Sequence, residues 1–321
     1  MLIENNMGLP EPMFRALSRD TYSRGDADYT VTQSNKSVRQ VQLKARHGET
    51  VVLDASELVY SLLGSSVHSV LELAGTDNDL VEQRFTSTIQ GEGWTRTLSG
   101  MTDLLELKTG VLSDFKVTSV YSFLLGAKED WTRQLNLNAM LMRDKGFVVN
   151  KVQIVAILRD WSKGKSLTEA NYPKCAIHVT DVPLWDHESQ KKFARERIAL
   201  HVAAERQADA DLPICSPEER WYRGEAFAVY KDGNKKATRV LDTEGEATSI
   251  AAQLANENVK ATYSVSKREG KSVMCLDYCE VAHACAYGRK LREEAGIYVL
   301  PAPTPVTPRP VQKKTINKKS K

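Results

Sequence analysis

The chain has 321 residues with 44 Lys and Arg against 41 Asp and Glu, a formal net charge of +3. That balance permits nucleic-acid binding without arguing for it, and the length allows two or three domains. No run of 18 apolar residues exists, so no transmembrane helix is expected, and the N-terminus lacks the basic-then-apolar pattern of a secretory signal. Five cysteines, three of them clustered, suit a reducing, cytoplasmic compartment better than a disulfide framework.

Residues 1–50 are polar with little periodicity. Residues 54–74 read as a helix, with Asp54 as N-cap, Glu57 completing a capping box and Gly75 as the stop. Residues 83–119 read as three strands of a β-meander. Residues 131–144 form an amphipathic helix ending near Gly146, residues 151–161 and 175–185 are strands, and residues 186–209 form a long helix beginning at Asp186. Beyond Pro213 the pattern is strand, Asp-Gly-Asn turn, strand, helix, strand over about residues 224–268, a compact ββαβ unit. The tail 301–321 is rich in proline and lysine and reads as disordered. The expected organisation is therefore a core over 1–212, a cysteine-cluster region with the ββαβ insertion over 213–300, and the tail.

In "VLSDFKVTS" (111–119), Asp114 and Lys116 fall on one strand face. An isolated pair of this kind is ordinarily a solvated face with a weak ion pair. Asp103 on the preceding strand changes the reading. A two-residue hairpin over Lys108-Thr109 pairs Asp103 with Asp114, and one over Thr109-Gly110 pairs it with Lys116. Either register gathers all three on one side. Two facing carboxylates repel unless a positive charge lies between them, and a hard cation with oxygen ligands supplies it. A lysine beside it can orient an attacking water.

On the preceding helix Gly64, His68 and Glu72 are spaced by four, on one face. A helix glycine costs about 1 kcal/mol relative to alanine, so close approach of another backbone is the expected reason for Gly64. His68 alone reads as a packing histidine; beside the carboxylates it is a candidate metal ligand. Gln134 and Asn138 lie four apart on the helix after the sheet. They are either a polar face, or Gln134 reaches the lysine or a substrate phosphate.

In this order, Gly64 and His68, Asp103, Asp114-Phe115-Lys116 and Gln134 resemble the PD-(D/E)XK nuclease superfamily in its RecB-like branch, over roughly residues 55–145. Asn138 stands where that branch usually has tyrosine. The resemblance implies an α/β, restriction-endonuclease-like mixed sheet flanked by helices and Mg²⁺- or Mn²⁺-dependent hydrolysis of DNA. By that likeness His68, Asp103, Asp114 and the Phe115 carbonyl bind the metal, Lys116 is catalytic and Gln134 supports it. The implied role is an exonuclease in recombination or DNA processing. The alternatives are a structure-specific endonuclease, or a non-catalytic DNA-binding protein that keeps the fold.

Cys275, Cys279 and Cys285 cluster, and Cys215 joins them if the ends of the ββαβ insertion meet. Four thiolates can hold a [4Fe–4S] cluster or Zn²⁺, with unliganded thiols as the third reading, and His283 could substitute as a zinc ligand. The set is similar to the iron–sulfur staple of AddB-type and CRISPR-associated nucleases, although in those the distant cysteine precedes the core. Candidate DNA contacts are Lys191, Lys192, Arg195 and Arg197 on the long helix and the lysines of the tail. A recombination partner protein and a homo-oligomer are the further expected partners, and no membrane.

Overall fold

A computed structural model describes residues 1–19, 25–124, 126 and 128–304. The reading of a disordered tail with DNA-binding lysines falls on residues 305–321 for all but its first four positions, outside those described. The chain divides into two compact units, residues 1–212 and 213–304.

The first unit is mixed α/β, with a mixed sheet flanked by helices. Its elements are α1 (Val59–Ala74), β1 (Asp79–Gly91), β2 (Trp94–Glu106), β3 (Val111–Thr118), α2 (Glu129–Arg143), β4 (Lys151–Leu158), β5 (Ile177–Val182) and α3 (His187–Ala204). β1 pairs antiparallel with β2, β2 with β3 antiparallel, β3 with β4 parallel and β4 with β5 antiparallel. The short strand Tyr29–Thr30 joins β2 in parallel.

The expected meander is present, and so is the capping box. Asp54 accepts from the Ser56 amide while the Glu57 carboxylate takes the Asp54 amide. The first turn it starts is a 3₁₀ turn, Ala55–Leu58, that runs into α1. The β2–β3 connection is longer than the two-residue hairpin expected, since residues 107–110 all lie outside the strands. The register is nonetheless Leu104 to Ser113 and Glu106 to Val111, which carried one step on puts Asp103 opposite Asp114.

α2 lies over the sheet and supplies the core. Leu135, Ala139 and Met142 pack with Leu105, Leu112 and Ile154, while Leu137, Met140 and Leu141 pack with Leu98 and with Ile198 of α3. Each such buried aliphatic side chain contributes about 1.5–3 kcal/mol. Trp131 and Trp161 are packed against this core, and Trp185 meets Phe193 edge to face. Residues 1–50, nearly featureless as sequence, hold a strand at Leu2–Glu4 and helices at Glu11–Ser18, Val31–Asn35 and Val38–His47. The last two are capped or buried through polar residues, Thr30 and Gln33 in a capping box and Arg39 and Gln42 in the interior. Apolar periodicity alone misses such elements.

The second unit holds β6 (Tyr222–Arg223), β7 (Ala226–Lys231), β8 (Arg239–Leu241), α4 (Glu244–Glu257), β9 (Tyr263–Arg268), β10 (Lys271–Ser272) and α5 (Ala286–Glu294). β7 is central between β8 and β9, and α4 packs Ile250 and Leu254 against Phe227, Val229 and Val265. The β7–β8 connection runs over residues 232–238 rather than closing as a tight Asp-Gly-Asn hairpin. β6 and β10 pair, Arg223 with Lys271 and Tyr222 with Ser272, so the two ends of the ββαβ segment meet.

Candidate active site

Asp114 and Lys116 point from β3 toward α2, on the face that carries Leu112 into the core. Asp114 is 2% exposed. Gln134 of α2 donates Nε2 to Asp114 Oδ1 at 3.0 Å, and Lys116 Nζ donates to Gln134 Oε1 at 3.3 Å. The Lys116 ammonium also lies 2.6 Å from Asp114 Oδ2, as an ion pair out of hydrogen-bonding alignment. Gln134 thus reaches both members of the Asp-x-Lys pair.

Asp103 sits where the β2–β3 ladder has ended. Its Oδ2 accepts the Phe115 amide at 2.8 Å, doing what a strand carbonyl would do further along. A strand residue directs its N–H and C=O to the same neighbour, so the Phe115 carbonyl opens toward this gap. Asp103 is 9% exposed. Burial, then the nearby Asp114 carboxylate, push its pKa up to about 7.

His68 comes from α1. Its Nδ1 lies 2.7 Å from Glu82 Oε1 and 3.7 Å from Asp103 Oδ1. The hydrogen bond with Glu82, more than its charge, raises the His68 pKa against the opposing effect of burial. Glu82 is the residue that sequence reasoning missed. His68, Glu82 and Asp103 each offer a ligand atom, all within 4.8 Å of one another. Glu82 also has φ +48°, a left-handed backbone rare for a residue other than glycine. No motif spacing marks it. The signal that could have found it is a change in the phase of apolar alternation along both strands.

Several expected placements differ. A Cβ on Gly64 would meet nothing within 4 Å, so no backbone approaches it among the described residues. Glu72 is exposed on α1. Asn138 is buried away from the Asp-x-Lys pair, donating to the Met101 carbonyl at 3.0 Å. It packs so close to Gly100 that a Cβ there would lie 2.2 Å from its Oδ1. Its task is to brace β2. On α3, Arg197 donates to the Ser34 and Lys36 carbonyls at 2.8 Å and is tied into the fold. Lys191 and Lys192 pair with Glu188 and Glu196 of their own helix, and Arg195 is exposed. Such surface pairs are weak and leave the two lysines available to a polyanion.

In the second unit Cys279, Cys215 and Cys285 all lie close enough to Cys275 to act on its thiol. Burial, followed by those three neighbours, pushes the Cys275 thiol up to about 11. None of the five cysteines is in a disulfide. Two arginines frame the group. Arg220 donates to the Cys215 carbonyl at 3.0 Å, and Arg292 donates to those of Cys275 and Cys279 at 2.9 and 3.1 Å. The Cys279 amide closes a π turn on the Met274 carbonyl, a form concentrated at functional sites. His283 is buried between Cys279 and Cys285, and Cys175 is exposed on the other unit.

Searches against protein-family models and against curated proteins give no match. Among solved structures the chain is similar to the crystal structure of SSO0001, with a TM-score of 0.42 and 18% identity, covering 59% of this chain and 84% of that one. A likeness of that size carries no functional argument. No helix among the described residues is long and apolar enough to cross a membrane.

Proposed function

We propose that this chain is a Mg²⁺- or Mn²⁺-dependent deoxyribonuclease of the RecB-like PD-(D/E)XK kind, acting as an exonuclease in recombination or DNA processing. The observation that carries the reading is the convergence of His68, Glu82, Asp103, Asp114, Lys116 and Gln134, from five separate elements, on one sheet face. The order of helix, three-stranded meander, helix and parallel strand supports a restriction-endonuclease-like arrangement.

The donor set fits a hard divalent cation, with three carboxylates and an imidazole gathered at the open end of a ladder. Glu82, Asp103 and His68 would hold it, with Asp114 and the Phe115 carbonyl as further oxygen donors. When bound, the cation supplies charge stabilisation and an acidified water. The protein's own residues do the rest. Asp103 would ligate as the carboxylate, its proton released to solvent. Lys116, held by Gln134, presents an ammonium to the attacking water and to the negative charge that grows on the phosphate. Asp114 keeps that ammonium in place.

Four buried or half-buried thiols fit a [4Fe–4S] cluster, with Zn²⁺ as the other candidate. Its task would be structural, fixing residues 215–285 where the insertion begins and ends. The deciding experiment compares wild type and Lys116→Ala on end-labelled linear and closed circular DNA with Mg²⁺ or Mn²⁺. Loss of linear DNA alone, absent in the variant, is expected. Cutting of circles would favour an endonuclease, and equal activity in both proteins would refute the Asp-x-Lys assignment.

A further inference from the structure

β1 and β2 pair residue for residue from Asp79–Glu106 to Gly91–Trp94, except at one step, Glu82 opposite Asp103. Both strands change face there. In β1, Leu80 and Phe85 pack against the same core although they are five residues apart. An unbroken strand would put them on opposite faces. In β2, Leu98 packs under α2, and a Cβ on Gly100 would point at Asn138 and Leu141 of the same helix. Thr102 donates to Met142 Sδ of α2. Yet Leu105, of the other parity, also packs under α2. The switch in β2 therefore lies between Thr102 and Leu105, and in β1 between Leu80 and Phe85.

The consequence for the site is direct. Continue the inward phase of Phe85, Ser87 and Ile89 back along β1 and Glu82 points outward. Continue that of Leu98, Gly100 and Thr102 forward along β2 and Asp103 points outward too. The paired switch turns both carboxylates to the face of Asp114 and Lys116. The left-handed backbone of Glu82 is the visible departure from strand geometry at that step. Glycine would take it without strain; a residue with a side chain does not.

We infer that Glu82 is a positioning residue through its backbone as well as its carboxylate. Its left-handed conformation reverses the two strands so that Glu82 and Asp103 can face His68, at the expense of local strain. The inference rests on the cation-site reading but is tested apart from it. Glu82→Gly and Glu82→Ala remove the same carboxylate and differ only in backbone freedom. In an ordinary strand alanine is the more stable of the two. Here the glycine variant is expected to melt above the alanine variant by about 2–4 °C. Glu82→Val, which cannot hold a left-handed backbone, is expected to melt lowest.

Mn²⁺ affinity by calorimetry supplies the readout that a merely structural role would not move. Glu82→Gly keeps Asp103 turned inward and is expected to weaken Mn²⁺ by about tenfold. Glu82→Val loses Asp103 as well and is expected to bind no Mn²⁺ measurably. An alanine variant that melts above the glycine variant overturns the backbone role. Equal Mn²⁺ affinity of the glycine and valine variants overturns the positioning role. A wild type that binds no Mn²⁺, with the melting order kept, refutes the cation reading and upholds the strained switch.

Discussion

Lowering the pH from 8 to 6 is expected to weaken Mn²⁺ binding through Asp103. Its pKa of about 7 leaves it mostly ionised at pH 8 and mostly protonated at pH 6. A ligating carboxylate must be ionised, so the cation has to displace the proton. For one group the apparent affinity falls by about tenfold over that range, with about 0.9 proton released per cation at pH 6. His68 is also raised, chiefly by its hydrogen bond with Glu82, and must be neutral to ligate, which steepens the dependence. Titration calorimetry in buffers of different ionisation enthalpy gives both affinity and proton count. A carboxylic acid raised on folding stabilises the fold below pH 3.8, and that contribution is lost as pH rises toward 7. From 3.8 to about 7 that contribution amounts to about 4 kcal/mol. Without added cation, Asp103→Asn is therefore expected to be more stable than wild type at pH 8 and to match it near pH 4. A pH-independent affinity, or less than half a proton released at pH 6, would refute the account of Asp103.

Lys116→Ala is expected to reduce cleavage by at least about 100-fold while leaving Mn²⁺ affinity within about threefold, because the ammonium serves the reaction and not the cation. Nuclease and calorimetric titrations on one preparation check both. Buried His201 has its pKa lowered to about 4 by desolvation first and by Arg197 second. Stability is then lost as pH falls from 6.5 toward 4, by about 3 kcal/mol in full, and His201→Gln is expected to flatten that part of an acid-denaturation curve. Gly100→Ala places a Cβ 2.2 Å from Asn138 Oδ1 and 2.8 Å from Leu141, and is expected to cost about 1–3 kcal/mol by urea unfolding. Anaerobically prepared protein is expected to show the visible absorption of an iron–sulfur cluster, and Cys275→Ser to lose it; zinc by metal analysis, without that absorption, would select the other cofactor.

Much of the site could be read from the residues because strand alternation and hairpin register are local rules. Asp114 and Lys116 share a face whatever else happens, and either expected turn put Asp103 beside them. The connection proved longer, yet the register was one of the two anticipated. Glu82 escaped the same reasoning because alternation was assumed to run unbroken along each strand. Leu98 and Leu105, both inward and seven residues apart, announce the break to anyone who follows the phase. Gly64 shows the opposite failure. A helix glycine suggests close packing, but the space around it is open, and its neighbours do not explain it. The first 50 residues were opaque because their helices bury Arg39, Gln42 and His47, whose polar atoms find partners only in the folded chain, His47 with Asp209 at 2.7 Å.

The pairing of Tyr222 with Ser272 and Arg223 with Lys271 makes the segment between them a cassette. Its entry and exit are stitched together by a two-residue ladder, and Gly270 lets Tyr222 lie against the exit strand. Cys215 and Cys275, some sixty positions apart as written, are neighbours along the shortened path that the ladder defines. Closure entropy grows only slowly with loop length, so the four-thiol frame is nearly indifferent to what the cassette contains. A shorter or different segment between Arg223 and Lys271 is thus compatible with the same placement of the cysteines, so long as the two-residue ladder is kept.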